Sequence, residues 1–143
     1  MKRVVLDTNV LVAASRSRQG ASFALLSALR QKQFIALVSV PLMLEYEAVL
    51  KRPEHLLASR RTVNMTDDFL DALSLFVEPV SLYYLWRPQT RDAADEMVLE
   101  TALNGRADVL VSLNIADFSR AARRFDLRLM TPGGFYRRYL LPE

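Results

Sequence analysis

Asp7 interrupts an apolar run, with Val4-Val5-Leu6 before it and Val10-Leu11-Val12 after it, where a first strand should end. In an open parallel sheet the carboxyl ends of the strands open into the crevice that takes ligands. A carboxylate buried there is costly unless it is paired or sits on a metal ion. A helix cap that satisfies backbone N–H groups explains Asp7 alone equally well. Thr8 and Asn9 are short hydrogen-bonding side chains that suit a strand-to-helix turn. Other acids stand where they reach the same cleft: Glu45 among Leu42, Met43, Leu44, Val49 and Leu50; Asp92, Asp95 and Glu96 crowding one helix start; and Asp117, after an apolar strand and Asn114.

Each of these has a structural explanation of its own. Glu45 fits the edge of an amphipathic helix beside a solvated Glu47. Asp92 reads as a helix cap, with Asp95 and Glu96 complementing the helix dipole. Asp117 reads as a cap for the helix after it. Yet Asp92, Asp95 and Glu96 share one helical face, where like charges repel, and a bound cation removes that penalty. Hard divalent cations need several carboxylate oxygens drawn together from separate elements. Such an ion polarises a phosphoryl oxygen and acidifies water for attack on phosphorus.

Composition narrows the chemistry. The chain has no cysteine and one histidine, His55. Disulfides, thiolate metal sites and His-rich sites are therefore excluded, and any metal is held by oxygen, which favours Mg²⁺ or Mn²⁺ over Zn²⁺. The absence of cysteine fits a reducing, cytoplasmic compartment. No apolar stretch approaches the ~20 residues that span a bilayer, and the first residues run straight into a strand, which argues against a secretory signal. Net charge is +3, and 16 of the 19 cations are Arg, with Arg120, Arg123, Arg124, Arg128, Arg137 and Arg138 in the last part of the chain. Arg suits bidentate phosphate contacts, so a polyanionic partner and an ordinary solvated helix face are the two readings of that charge.

The elements that position these residues follow from periodicity. Strands are predicted over residues 4–6, 34–38, 78–82, 109–111 and 128–130. Between them, helices are predicted over 21–29; 39–50, capped by Ser39 and ended by Pro53; 55–60; 66–76, capped by Thr66; 92–104, ended at Asn104-Gly105; 117–125; and 132–140, capped by Thr131. Residues 86–89 read as a loop. Strands separated by helices argue for an α/β fold with a mostly parallel sheet. With 143 residues, 51% hydrophobic and without repeat or linker, residues 1–143 read as a single domain.

At the acids, the chain resembles the PIN-domain family, specifically the PIN-type toxins of toxin–antitoxin pairs. Val5-Leu6-Asp7-Thr8-Asn9-Val10-Leu11 is similar to the family's opening motif. Pro41 to Glu45 followed by Val49-Leu50 resembles the second motif, Asp95 with Val98, Leu99 and Ala102 the third, and residues 107–118 the fourth. The resemblance implies a three-layer sandwich, with a central sheet of about five strands flanked by helices. It implies a Mg²⁺- or Mn²⁺-dependent endoribonuclease with Asp7, Glu45, Asp95 and Asp117 as metal-binding and catalytic residues. Thr8, Asn9, Asp92, Glu96 and Ser112 would support them. Asn114 departs from the pattern, since many members place Asp there. Asp117 is read as its substitute, and which of the two reaches the metal stays open. Ala93 stands where the third motif often has Pro.

On this reading Arg16, Arg18, Arg87, Arg91, Arg120, Arg123 and Arg124 bring RNA phosphates to the cleft, and an antitoxin protein is the partner. A homodimer through the Leu/Ala-rich helices predicted over 21–29 and 39–50 also fits, C₂ dimers being the commonest oligomers. Two alternatives compete. One is a catalytically silent module of the same fold that holds RNA or protein, a reading that Asn114 favours. The other is a phosphoaspartate protein, against which stand Asn9, where a second Asp would be needed, and the lack of any Lys after Lys51. His55 reads as a surface residue, and Trp86 with Tyr83 and Tyr84 as core or dimer surface rather than a stacking platform.

Overall fold

Short β-branched and aliphatic runs build the sheet that carries Asp7. Its strands are β1 (Arg3–Leu6), β2 (Ile35–Val38), β3 (Val77–Pro79), β4 (Val109–Val111) and β5 (Arg128–Met130). The computed structural model describes residues 1–85 and 87–142, so the reading of Trp86 lies outside the described residues. The strands pair in the order β3-β2-β1-β4-β5, every pair parallel. In β1, Val4, Val5 and Leu6 are buried, and β4 is buried throughout, because a parallel sheet is covered on both faces. The helices are α1 (Thr8–Arg16), α2 (Ala21–Arg30), α3 (Val40–Leu50), α4 (Pro53–Ser59), α5 (Val63–Ser74), α6 (Ala93–Asn104), α7 (Ile115–Arg124) and α8 (Pro132–Phe135). The expected α/β architecture, a central parallel sheet flanked by helices, is what forms.

The strand order decides where a site belongs. From β1 the chain winds outward through β2 to β3, then returns to β4 on the opposite side of β1 and continues to β5. The reversal falls between β1 and β4, and the crevice beyond the carboxyl ends of strands at such a switch point is where open α/β sheets bind ligands. The Asp7 amide donates to the Val111 carbonyl (2.9 Å), so Asp7 sits at that mouth. Below it the core runs through Val5, Leu37, Tyr46, Leu110, Phe118 and Phe135. Helix α6 packs on β1, β2 and β4 together. At its end, Gly105 has no room for a side chain. A Cβ there would meet the Thr101 carbonyl and Val80 Cγ2 at 2.9 Å. The left-handed turn that follows is taken by Arg106, with φ 53°.

Several boundaries differ from expectation. Helix α5 starts at Val63, because Thr62 rather than Thr66 caps it, accepting from the Met65 amide (3.1 Å). Thr66 lies inside the first turn and donates to the Thr62 carbonyl (3.0 Å). Val63 and Met65 are exposed, so apolar periodicity did not mark that turn. Strand β3 ends at Pro79 instead of continuing to residue 82. It is an edge strand, where a residue without N–H is tolerated. Pro53 ends one helix and also opens α4, whose last turn closes on Arg60 at φ 59°. Helix α7 begins at Ile115 with Asn114 in the cap position, two residues earlier than expected. The closing helix is α-helical only to Phe135 and widens into a π-helical turn over Tyr136–Leu140, with the Leu141 amide on the Tyr136 carbonyl (2.9 Å). Among the described residues, no helix is long and apolar enough to cross a membrane.

Candidate active site

The ends of β1 and β4 are tied through polar side chains. Asp7 caps α1, with Oδ1 accepting the Thr8 amide (2.8 Å), while Oδ2 accepts the Ser112 hydroxyl (2.7 Å). Ser112, fully buried just past β4, also accepts the Asn114 amide at 2.9 Å. Asn9 Oδ1 accepts the Leu113 amide (3.2 Å), and Asn9 Nδ2 donates to Ser112 Oγ (3.4 Å). The Tyr46 hydroxyl, from α3, donates to the Leu6 carbonyl and closes the floor. Thus the cap reading of Asp7 is correct as far as Oδ1 goes, but its second oxygen is spent on the neighbouring strand end. Beside it, Thr8 Oγ1 is buried with no hydrogen-bond partner.

Two helix starts bring further carboxylates to this mouth. Asp92 caps α6, accepting the Ala94 amide (2.9 Å), and Asp95 and Glu96 occupy its first turn. Asp117 stands in the first turn of α7, where the helix dipole favours an acid. Asp92, Asp95, Asp117, Arg91 and Arg120 line one cleft of about 700 Å³. Burial pushes Asp95 up to about 7, with the negative charges of Asp7, Asp92, Asp117 and Glu96 adding to the effect. Asp7 is also raised, chiefly by burial and further by Asp117, against the lowering from its Ser112 and Thr8 hydrogen bonds. Carboxylates that hinder one another's ionisation form a centre whose charge a cation would balance.

The fold therefore gathers Asp7, Asp95 and Asp117, with Asp92 beside them. Glu45 is half-buried on α3, next to Tyr46, and is not among the charges acting on Asp7 or Asp95. Asn114 is exposed at the α7 start and makes no side-chain cap bond. Glu96 is buried and turned to the backbone of residues 89 and 90. Hard oxygen donors, mutual repulsion and the orphaned Thr8 hydroxyl suit a divalent cation in kind and in charge. Among the described residues, no three acidic side chains stand close enough to hold an ion as they are. An ion held here would need side chains to turn toward it, and Asp117 is exposed.

The arginines separate. Arg91 and Arg120 line the cleft, and Arg124 donates to Gln89 Oε1 at its rim (2.9 Å). Arg87 is held by Glu100 (2.8 Å) and Arg16 by His55 Nδ1 (2.6 Å). Arg18 is exposed between α1 and α2, and Arg123 lines a separate depression with Asp126 and Leu129. Sequence reasoning passed over Tyr46 and Glu100, both about 1% exposed. For Glu100 the signal was present: it lies among Leu99, Ala102 and Leu103, positions that a packed helix buries.

The comparisons agree with this fold. VapBC2 from Rickettsia felis, solved bound to a DNA fragment from its promoter, contains a chain similar to this one with a TM-score of 0.65 and 18% identity. That match covers 90% of this chain and 98% of the other. FitAB bound to an IR36 DNA fragment matches with a TM-score of 0.55 at 16% identity, covering 98% of each chain. FitAcB from Neisseria gonorrhoeae matches with a TM-score of 0.51 at 19% identity, covering 91% of this chain and 98% of that one. No curated protein sequence matches significantly. A family model described as PIN domain matches residues 3–116, most of the chain. The chain belongs to the PIN-domain family.

Proposed function

We propose that this protein is a divalent-metal-dependent endoribonuclease, the toxin of a toxin–antitoxin pair. The observation that carries the reading is the group of Asp7, Asp95 and Asp117 at the β1/β4 switch point, where burial and like charge raise two of the carboxylates. Asp7, Asp95 and Asp117 would hold Mg²⁺ or Mn²⁺, with Glu45 as the fourth acid. When bound, the ion supplies Lewis-acid polarisation of a phosphodiester and acidifies water. The chain's own residues do the rest. Ser112 and the Thr8 amide fix the Asp7 carboxylate, and Asn9 locks the two strand ends that carry it. Arg91 and Arg120 would receive substrate phosphates, with Arg18 and Arg124 extending the track.

An antitoxin partner and a homodimer belong to the same proposal. Phe23, Leu26, Phe69 and Phe76 line an apolar groove of about 340 Å³ rimmed by Arg30 and Arg61, which suits an amphipathic segment with acidic flanks. Val40 and Leu44, one turn apart on α3, are exposed and suit a contact between copies. A cytoplasmic protein without cysteine fits both.

The test is cleavage of a mixed RNA pool with Mn²⁺ or with EDTA, comparing the wild type with Asp95→Asn. Cleavage only by the wild type with Mn²⁺ is the expected result. Asn114, neutral and exposed, favours one other reading, a silent module that binds RNA or protein. RNA retention without Mn²⁺-dependent cleavage would select it.

A further inference from the structure

Two buried carboxylates on α6 are left unexplained by any role at the metal. Glu96 and Glu100 stand one turn apart and are 4% and 1% exposed. Burial of a carboxylate is expensive unless it is hydrogen-bonded, and each acid bonds through one oxygen only. Glu96 Oε1 accepts the backbone amides of Gln89 (2.6 Å) and Thr90 (2.9 Å). Glu100 Oε1 accepts Nε (3.1 Å) and Nη2 (2.8 Å) of Arg87. The Oε2 atoms of both are buried with no partner.

All four bonds reach one strap, residues 87–90, which has no regular structure and whose Pro88, Gln89 and Thr90 form a wall of the acidic cleft. Its other side is pinned as well. Arg124 of α7 donates to Gln89 Oε1 (2.9 Å), and Thr90 Oγ1 donates to the Asp92 carbonyl (2.9 Å). Gln89 thus links α6 and α7 across the cleft, holding one by its amide and the other by its side chain.

The geometry points to Glu96 and Glu100 as positioning residues that fix the strap 87–90 as the substrate-facing wall, Glu96 acting through backbone amides rather than as a metal ligand. This deepens the nuclease reading and rests on it for its kinetic part. One oxygen accepting two converging N–H groups is committed to the strap, and the other is closed off from the cleft's solvent. Arg87, drawn down by Glu100, then anchors the strap and does not bind RNA. The wall presents Arg91 and Asp92 to whatever enters.

The experiment compares Glu96→Ala and Glu96→Gln in the full chain, by amide exchange at Gln89 and Thr90 and by steady-state cleavage of RNA with Mn²⁺. Gln keeps an oxygen acceptor and drops the charge. The expected result is that Glu96→Ala loses exchange protection at those amides and raises KM about tenfold. Its Mn²⁺ half-saturation stays near the wild-type value, and Glu96→Gln retains both protection and KM. Glu96→Gln impairing Mn²⁺ dependence as much as Glu96→Ala, or Glu96→Ala leaving the strap protected, would overturn the assignment. If Glu96→Ala does not fold, Glu96→Gln alone decides, through its Mn²⁺ dependence and its protection. A wild type that cleaves nothing contradicts the nuclease reading, while the exchange data still report on the strap.

Discussion

The two ends of β1 treat charge in opposite ways. At Arg3, opposite charges meet. Its guanidinium pairs with Glu78 (2.6 Å) and donates to the Gly105 carbonyl (2.9 Å), and its amide donates to Asp108 (2.8 Å). At Asp7, four residues on, like charges meet, and among the described residues no ion pair reaches Asp7, Asp95 or Asp117. The first end is arranged for its own stability. The second crowds carboxylates together, and at Asp7 the Ser112 and Thr8 hydrogen bonds do not cancel the cost. A site that must bind a cation has reason to do so.

The sharpest way to break the comparison is to remove charge at one end and then the other. Asp7→Asn keeps an acceptor for the Thr8 amide and turns an N–H donor to the Ser112 oxygen, whose hydroxyl can rotate away, so the fold should persist. Mn²⁺-dependent RNA cleavage should fall by at least ~100-fold, as expected when a metal's charge stabilisation is lost. A gel assay with a parallel thermal melt measures both.

Next in size is a pH effect. Asp95 lies at about 7 in the folded chain against an ordinary 3.8. The folded state therefore holds that proton more tightly than the unfolded state. This contribution to metal-free stability is fully present below the ordinary value and is lost as pH rises through about 7. Asp95→Asn should flatten that decline. At pH 8 it should melt higher than the wild type by about 4 °C, roughly 1 kcal/mol after solvent screening. Saturating Mn²⁺ should restore the wild type at pH 8 and do little for the variant. Calorimetric melts at several pH values decide this.

A smaller effect is expected at Arg120. Arg120→Ala should raise KM for RNA by about threefold to tenfold and reduce the salt slope of binding by about one ion. The smallest is at the opposite end of β1. Arg3→Ala should cost about 1 kcal/mol or less, the pair being partly exposed, and leave cleavage unchanged. An Arg3 variant that lost cleavage without unfolding would dissolve the contrast between the two ends.

What the sequence disclosed follows the same division. The strands were readable because β1 and β4 are buried on both faces and carry unbroken apolar runs. Asp7 was readable because it breaks such a run. Thr62 and the start of α5 were hidden because their neighbours are exposed, so no apolar period marks them. The strap was hidden for a different reason. Its shape is set by Glu96, which reads as a solvated helix charge beside Asp95, and by Glu100, whose apolar neighbours mark its burial but not its Arg87 partner. Glu45 shows the limit of motif reading, since its spacing announces an acid near the cleft but not which way that acid turns.

The central claim is that separate acids share one cation. Calorimetric titration of Mn²⁺ into metal-free protein at pH 8, wild type against Asp95→Asn, tests it directly. Saturable binding by the wild type, weakened about tenfold or more in the variant, is the expected result. No saturable binding by the wild type, or equal affinity in both, would contradict it.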